Sequence, residues 1–214
     1  RYGRRQRQMC IRDSKNRMDR MLSKEPETIQ WINSFKNNSV FFDVGANIGI
    51  YTLYSAITKN NSVYAFEPHS ASYKNLLDSI NLNQLKNCHA YSIALSDKVD
   101  LSTINVKNMH EGVADNHVGE QGDYYHGCVQ FSLNFLVERK ILPQPDYIKI
   151  DVDGHEDKVI EGAINVFKKT KSILVEIDYK HKNYVAQIEA LGFKLESKHK
   201  RNEEEFNYIF TNAN

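Results

Sequence analysis

A chain of 214 residues, 41% hydrophobic and 26% charged, is long enough to bury its own core and has the make-up of an ordinary globular domain. Its formal net charge of +1 hides a split, because residues 1–14 carry five Arg and one Asp, a local +4, which leaves −3 for residues 15–214. That leaves no basic face to suggest nucleic acid or a membrane surface, and no apolar run reaches the ~20 residues that span a bilayer.

Taken from the start, Arg4-Arg5-Gln6-Arg7-Gln8-Met9-Cys10-Ile11-Arg12-Asp13-Ser14 resembles one reading frame of a transposon-end adapter used to build sequencing libraries. Residues 1–14 are therefore expected to be non-native, with the native start and any targeting signal lost upstream. Residues 15–38 read as a helical lead-in, in which Pro26 suits the first turn of a helix over Glu27–Lys36. From Ser39 short β-branched or aromatic runs alternate with stretches of helical period. Strands are expected at Val40–Val44, Ser62–Phe66, Cys88–Ala94, Asp146–Asp151 and Ser172–Ile177, and helices at Ile48–Thr58, His69–Leu82, Glu156–Phe167 and Asn183–Leu191. Phe193–Glu196 and Phe206–Phe210 read as a closing, hairpin-like pair around a charged connection. Residues 98–145 are the least regular part, an insertion suited to acceptor recognition, with Tyr124, Tyr125 and Phe131 either lining a pocket or packing the insertion. Cys88 and Cys128 do not make a disulfide framework in a chain of this size, so reduced thiols and a cytoplasmic setting are expected.

Such alternation predicts an α/β fold, a mostly parallel sheet with helices on both faces. Sheets of this kind bind ligands outside the carboxyl ends of their strands, where the strand order switches. Those ends carry Asp43, Glu67, Ser96-Asp97, Asp151 and, on the fifth strand, Glu176 and Asp178.

The segment Phe41-Phe42-Asp43-Val44-Gly45-Ala46-Asn47-Ile48-Gly49 ends a buried strand in a small-residue turn that feeds a helix, which lets the backbone approach a ligand. It lacks the Gly-x-Gly-x-x-Gly spacing of dinucleotide sites, and its carboxylate suits a cationic ligand better than a pyrophosphate. Glu67, eighteen residues after Gly49, is placed to accept both hydroxyls of a ribose. Asp151 closes the fourth strand within Ile148-Lys149-Ile150-Asp151-Val152-Asp153-Gly154-His155-Glu156. Read alone, that segment also suggests a calcium loop or a metal-bound sugar-nucleotide site, but the later EF-hand ligands are missing.

Asp43-Val44-Gly45-Ala46-Asn47-Ile48-Gly49, Phe66-Glu67-Pro68 with Tyr73, Leu76 and Asn83, Ile148–Glu156, Glu161-Gly162-Ala163 and Ser172–Glu176 together resemble the FkbM methyltransferases in order and spacing over roughly residues 39–178. Asp153 stands where that family commonly has Glu. The resemblance implies a class I methyltransferase, Rossmann-like fold over residues 39–214, with a seven-stranded sheet whose last strand is antiparallel. It also implies S-adenosylmethionine as cofactor and O-methylation of a natural product or glycan. On this reading Asp43, Gly45, Asn47, Gly49, Glu67, Ser96 and Asp151 contact the cofactor, and Asp151, Glu176 and His155 carry the chemistry. Glu156 is a further candidate base, and Lys149 could pair with Glu176 across neighbouring strands as structure only. No metal site is assigned. The acceptor is expected to be a small molecule or glycan, with no nucleic-acid partner and no membrane span. A non-catalytic module that binds the cofactor stays open, and a nucleotide-dependent oxidoreductase is disfavoured by the missing third glycine and by Asp43.

Overall fold

The computed structural model describes residues 25–106, 116–118, 124–152, 154–178 and 183–213. The segment expected to be foreign, the lead-in up to residue 24, the Asp153 carboxylate, the Tyr124 side chain and most of the stretch 107–123 lie outside these residues.

In chain order the elements are α1 (Pro26–Asn33), β1 (Val40–Val44), α2 (Ile50–Lys59), β2 (Ser62–Phe66), α3 (Ser70–Leu82), β3 (Cys88–Tyr91), β4 (Ala94–Leu95), β5 (Asp100–Val106) and β6 (Asn116–Val118). There follow β7 (Tyr124–Phe131), α4 (Leu133–Glu138), β8 (Tyr147–Ile150), α5 (Glu156–Glu161), α6 (Ile164–Phe167), β9 (Ser172–Asp178), α7 (Asn183–Ala190), β10 (Phe193–Lys200) and β11 (Glu205–Asn212). A seven-stranded sheet runs β10-β11-β9-β8-β1-β2-β3. Strands β3, β2, β1, β8 and β9 pair in parallel, while β11 lies antiparallel between β9 and β10. The chain builds outward from β1 to β3 and then returns to β1's other edge with β8, so the order switches between β1 and β8. That crevice is where an open α/β sheet receives its ligand.

Alternation along the strands sorts the core into two layers. Phe42, Val44, Phe66, Ile148, Ile150, Ile173, Val175 and Phe210 fill one face, packed with residues of α4, α5 and α6. Phe41, Val63, Tyr147, Leu174 and Ile209 fill the other face, under Trp31, Ile32 and Phe35 at α1. Phe35 stacks on Tyr147 with ring centroids 3.8 Å apart, and the Trp31 indole donates to Ser172 Oγ at 2.8 Å.

Two expectations differ from the outcome. The third strand does not run on to Ala94: it stops at Tyr91, and Ala94–Leu95 pairs with β7 in a second sheet. Among the described residues of the insertion, Asp100–Val106 pairs with Tyr124–Gln130 in that second sheet, ordered β4-β7-β5-β6. The helix expected over Glu156–Phe167 is two helices broken at Gly162–Ala163. A Cβ on Gly162 would lie 2.0 Å from the Ser96 carbonyl oxygen, so only glycine fits against the end of β4 there.

Candidate cofactor and acceptor site

The glycine turn after β1 is wedged between the ends of its two neighbours. On the β2 side, the Gly45 and Ala46 N–H groups donate to the Phe66 carbonyl at 3.0 and 3.1 Å, and the Asn47 N–H donates to Glu67 Oε2 at 2.7 Å. On the β8 side, the Asp151 N–H donates to the Val44 carbonyl at 3.1 Å, and a Cβ added to Gly45 (φ +76°) would stand 1.7 Å from the Asp151 carbonyl oxygen. Backbone contacts thus join Glu67 and Asp151 to one turn, at the switch in strand order. The His69 N–H fixes the other Glu67 oxygen, Oε1, at 2.8 Å, so the carboxylate is aimed by two backbone donors.

Asp43 lies below this rim and is fully buried; the Thr52 hydroxyl donates to its Oδ2 at 2.6 Å. Burial raises its proton affinity, and the Lys149 ammonium opposes this. Its Oδ1 and the Asn47 Oδ1 are buried with no hydrogen-bond partner in the structure. Buried acceptors are seldom left orphaned, so each is an unmet demand for a donor. S-adenosylmethionine brings a ribose diol, an ammonium and a sulfonium, and the residues present fit it: a carboxylate aimed from β2, orphaned acceptors at the turn and a backbone free of side chains. Gly49 also meets a packing constraint. Its missing Cβ would fall 2.3 Å from Leu76 of α3, which fixes how close that helix lies.

On the face under α1 and α2, the apolar stripe Phe41, Tyr147, Leu174, Ile209 gives way toward the carboxyl ends to Asp43, Lys149, Asp151, Glu176 and Asn207. The register sets Asp43 against Lys149 and Glu176 against Asn207. Lys149, 1% exposed, pairs with Asp151 at 2.5 Å and lies 5.0 Å from the centre of the Tyr51 ring. The expected pairing of Lys149 with Glu176 is therefore not the contact formed. Glu176 instead accepts from the Arg201 Nε, which donates to its Oε2 at 3.3 Å. Burial would push Asp151 toward its neutral form, but Lys149, helped by Arg201, holds its carboxyl below the usual carboxylate range. Burial and the Asp151 charge push Glu176 the other way, up to about 9. The two carboxyls are thus pushed in opposite directions.

His155 and Ser96 form a separate group. The imidazole Nε2 is 3.2 Å from Ser96 Oγ, beside Asp97, and burial lowers its proton affinity. Glu156 turns back on its own loop, where its Oε1 accepts the Val152 and Gly154 N–H groups at 3.2 and 3.1 Å; burial raises it to about 7. Of the aromatics in the insertion, Phe131 packs on Phe135 and Tyr125 is 74% exposed. Arg201, Glu25 and Tyr51 were not legible as members of this site. Arg201 lies in a charged hairpin connection and Glu25 precedes Pro26, so neither belongs to a periodic pattern. Among the described residues, no three or more His, Cys, Asp or Glu side chains are grouped to hold a metal, and no helix is long and apolar enough to cross a membrane. A groove of about 440 Å³, lined by Trp31, Tyr147, Lys171 and His199, lies at the opposite, amino ends of the parallel strands.

Residues 43–201 match the model of the methyltransferase FkbM domain. The chain is 28% identical over 172 residues to the hexuronic acid methyltransferase AglP of Haloferax volcanii, covering 78% of this chain and 64% of that protein's length. Among solved structures, the fold is similar to precorrin-6y C5,15-methyltransferase of Geobacter metallireducens (TM-score 0.53, 13% identity, 87% of this chain and 86% of that one). It is also similar to M. capricolum TrmK bound to S-adenosyl-homocysteine (TM-score 0.54, 11% identity, 86% and 67%).

Proposed function

The chain belongs to the FkbM methyltransferase family, and from that premise we propose that it is an S-adenosylmethionine-dependent O-methyltransferase acting on a saccharide hydroxyl. The observation that carries this reading is the Gly45 turn, held to Glu67 on one side and to Asp151 on the other by backbone contacts. The hexuronic acid named for the Haloferax volcanii relative supports a saccharide acceptor, and this chain spans 64% of that relative's length.

In this assignment Glu67 holds the ribose hydroxyls, the orphaned Asp43 and Asn47 oxygens take ligand donors, and Ser96 with His155 closes the cofactor side near β4. The cofactor supplies a methyl group already activated by its sulfonium. What remains for the chain is to align the acceptor and remove its proton. Alignment is worth up to ~7–11 kcal/mol and a positioned base roughly 10²–10⁴-fold. Asp151 takes the base role, and Lys149 beside it keeps it ionised. Unlike Asp151, His155 faces Ser96, and no proton transfer is assigned to it.

The domain assignment follows: residues 39–214 form the catalytic domain, and 98–145 recognise the acceptor, through a sheet whose β4 ends beside Ser96. The free thiols of Cys88 and Cys128 support a cytoplasmic setting. The test is release of S-adenosylhomocysteine with a panel of uronic-acid saccharides, neutral saccharides and non-sugar alcohols. Release with the saccharides is expected. Cofactor binding without release on any acceptor would instead support a non-catalytic binding module.

A further inference from the structure

The second sheet turns one face outward and the other inward. Its register sets Leu101 opposite Val129 on the outer face, where both are exposed, and sets Ser102 and Ile104 opposite Cys128 and His126 on the inner face. Ala94, Ile104 and Cys128 close the inner face as a small apolar cluster, and His126 continues it along β7. The His126 ring lies 6.0 Å, centroid to centroid, from that of His69, the residue just before α3. His69 is buried, and its N–H is one of the two backbone donors that aim the Glu67 carboxylate. Through His126 the insertion thus comes within one ring of the residue that fixes Glu67.

The two ring nitrogens of His126 are not alike. Nδ1 lies 3.3 Å from the Gly127 carbonyl oxygen, and a carbonyl only accepts, so Nδ1 carries the proton of the neutral ring. Nε2 is then a lone-pair acceptor, and it is buried with no hydrogen-bond partner in the structure. His69 keeps its own Nδ1 for the Ser72 hydroxyl, 3.1 Å away. A buried acceptor without a partner is an unmet demand for a donor. Asp43 Oδ1 and Asn47 Oδ1 make that demand at the Gly45 turn, and His126 Nε2 makes it from the insertion. Resting on the methyltransferase reading above, we propose that His126 is a ligand-binding residue whose Nε2 accepts a hydrogen bond from a sugar-ring hydroxyl. A cationic donor is better served by the carboxylates of the rim than by a neutral imidazole, whereas a hydroxyl makes a neutral bond there at no charge cost. Both ligands of the reaction carry such hydroxyls: the ribose of the cofactor and the acceptor saccharide.

The test is His126→Phe, which keeps a ring against His69 and removes the acceptor. Calorimetry gives the affinity for S-adenosylhomocysteine, and kinetics give KM for each saccharide on which the wild type releases it. One of the two is expected to weaken about tenfold, the loss that goes with one neutral hydrogen bond. Weaker S-adenosylhomocysteine binding assigns the bond to the ribose; a raised KM with that binding unchanged assigns it to the acceptor. Both values unchanged in folded His126→Phe overturn the proposal. Should that variant not fold, ¹⁵N-histidine NMR on the wild type decides: an imidazole Nε2 resonance moves on saturation with S-adenosylhomocysteine or with the saccharide, and no movement with either overturns the proposal. If the wild type releases no S-adenosylhomocysteine on any acceptor, the catalytic reading fails, while binding of S-adenosylhomocysteine to wild type and His126→Phe still decides the role of His126.

Discussion

The Asp151 carbonyl oxygen occupies the place where a side chain on Gly45 would begin, 1.7 Å from an ideal Cβ. The end of β8 therefore closes over the β1 turn only because residue 45 is glycine, and its φ of +76° adds a backbone conformation that L side chains rarely adopt. Gly45→Ala is expected to separate the two strand ends, lowering unfolding free energy by about 1–3 kcal/mol and reducing S-adenosylmethionine affinity. Calorimetry and urea unfolding would show both; a variant with wild-type affinity would mean the turn does not shape the cofactor site.

Glu67→Ala should weaken S-adenosylmethionine binding by ~10–100-fold. It also strands the Asn47 and His69 N–H groups that now end on its two oxygens. Glu67→Gln keeps one acceptor oxygen and should fall between wild type and alanine. If both variants are folded and bind as tightly as wild type, the ribose assignment is wrong.

Asp151→Asn removes the charge that Lys149 pairs with at 2.5 Å while keeping the side chain's shape. Turnover is expected to drop at least ~100-fold, in the range of a lost general base, with cofactor binding retained. Full activity on a true acceptor would take Asp151 out of the mechanism.

The buried acids give a signed pH dependence. Burial first, and then the Asp151 charge, lifts Glu176 from an ordinary 4.5 to about 9, and burial lifts Glu156 to about 7. In both cases the folded chain holds the proton more tightly than the unfolded chain. The stability they contribute is thus fully present below about 4.5 and is lost as pH rises, through about 7 for Glu156 and about 9 for Glu176. Asp151 acts in the opposite sense, since its depressed value means its contribution is lost as pH falls below the usual carboxylate range. The urea midpoint should therefore decline between about pH 6 and pH 9, and decline less in Glu176→Gln. A flat or rising wild-type midpoint over that interval would contradict the burial of these groups.

Much of the fold was readable because its signals are local. The buried runs Val40–Val44, Ser62–Phe66 and Ser172–Ile177 are strands in the structure within a residue of the expected ends, since strands covered on both faces must be continuously apolar. The sequence reading failed where one element's course depends on another. The second sheet follows from β4 leaving the main one to pair with β7, and the need for glycine at 162 follows from the approach of Ser96, more than sixty residues away.

The same division runs through the site. Strand ends and turn residues put Gly45, Asn47, Glu67 and Asp151 at the carboxyl rim from sequence alone, because each sits where a strand stops and the backbone must change direction, whereas Asp43 lies just below it, within β1. Only the tertiary structure decided which carboxyls touch which cations. Lys149 turns to Asp151 and not to Glu176, and Arg201 arrives from a hairpin 25 residues beyond Glu176. Charge pairing depends on distances of a few ångströms and on burial, neither of which leaves a periodic trace along the chain.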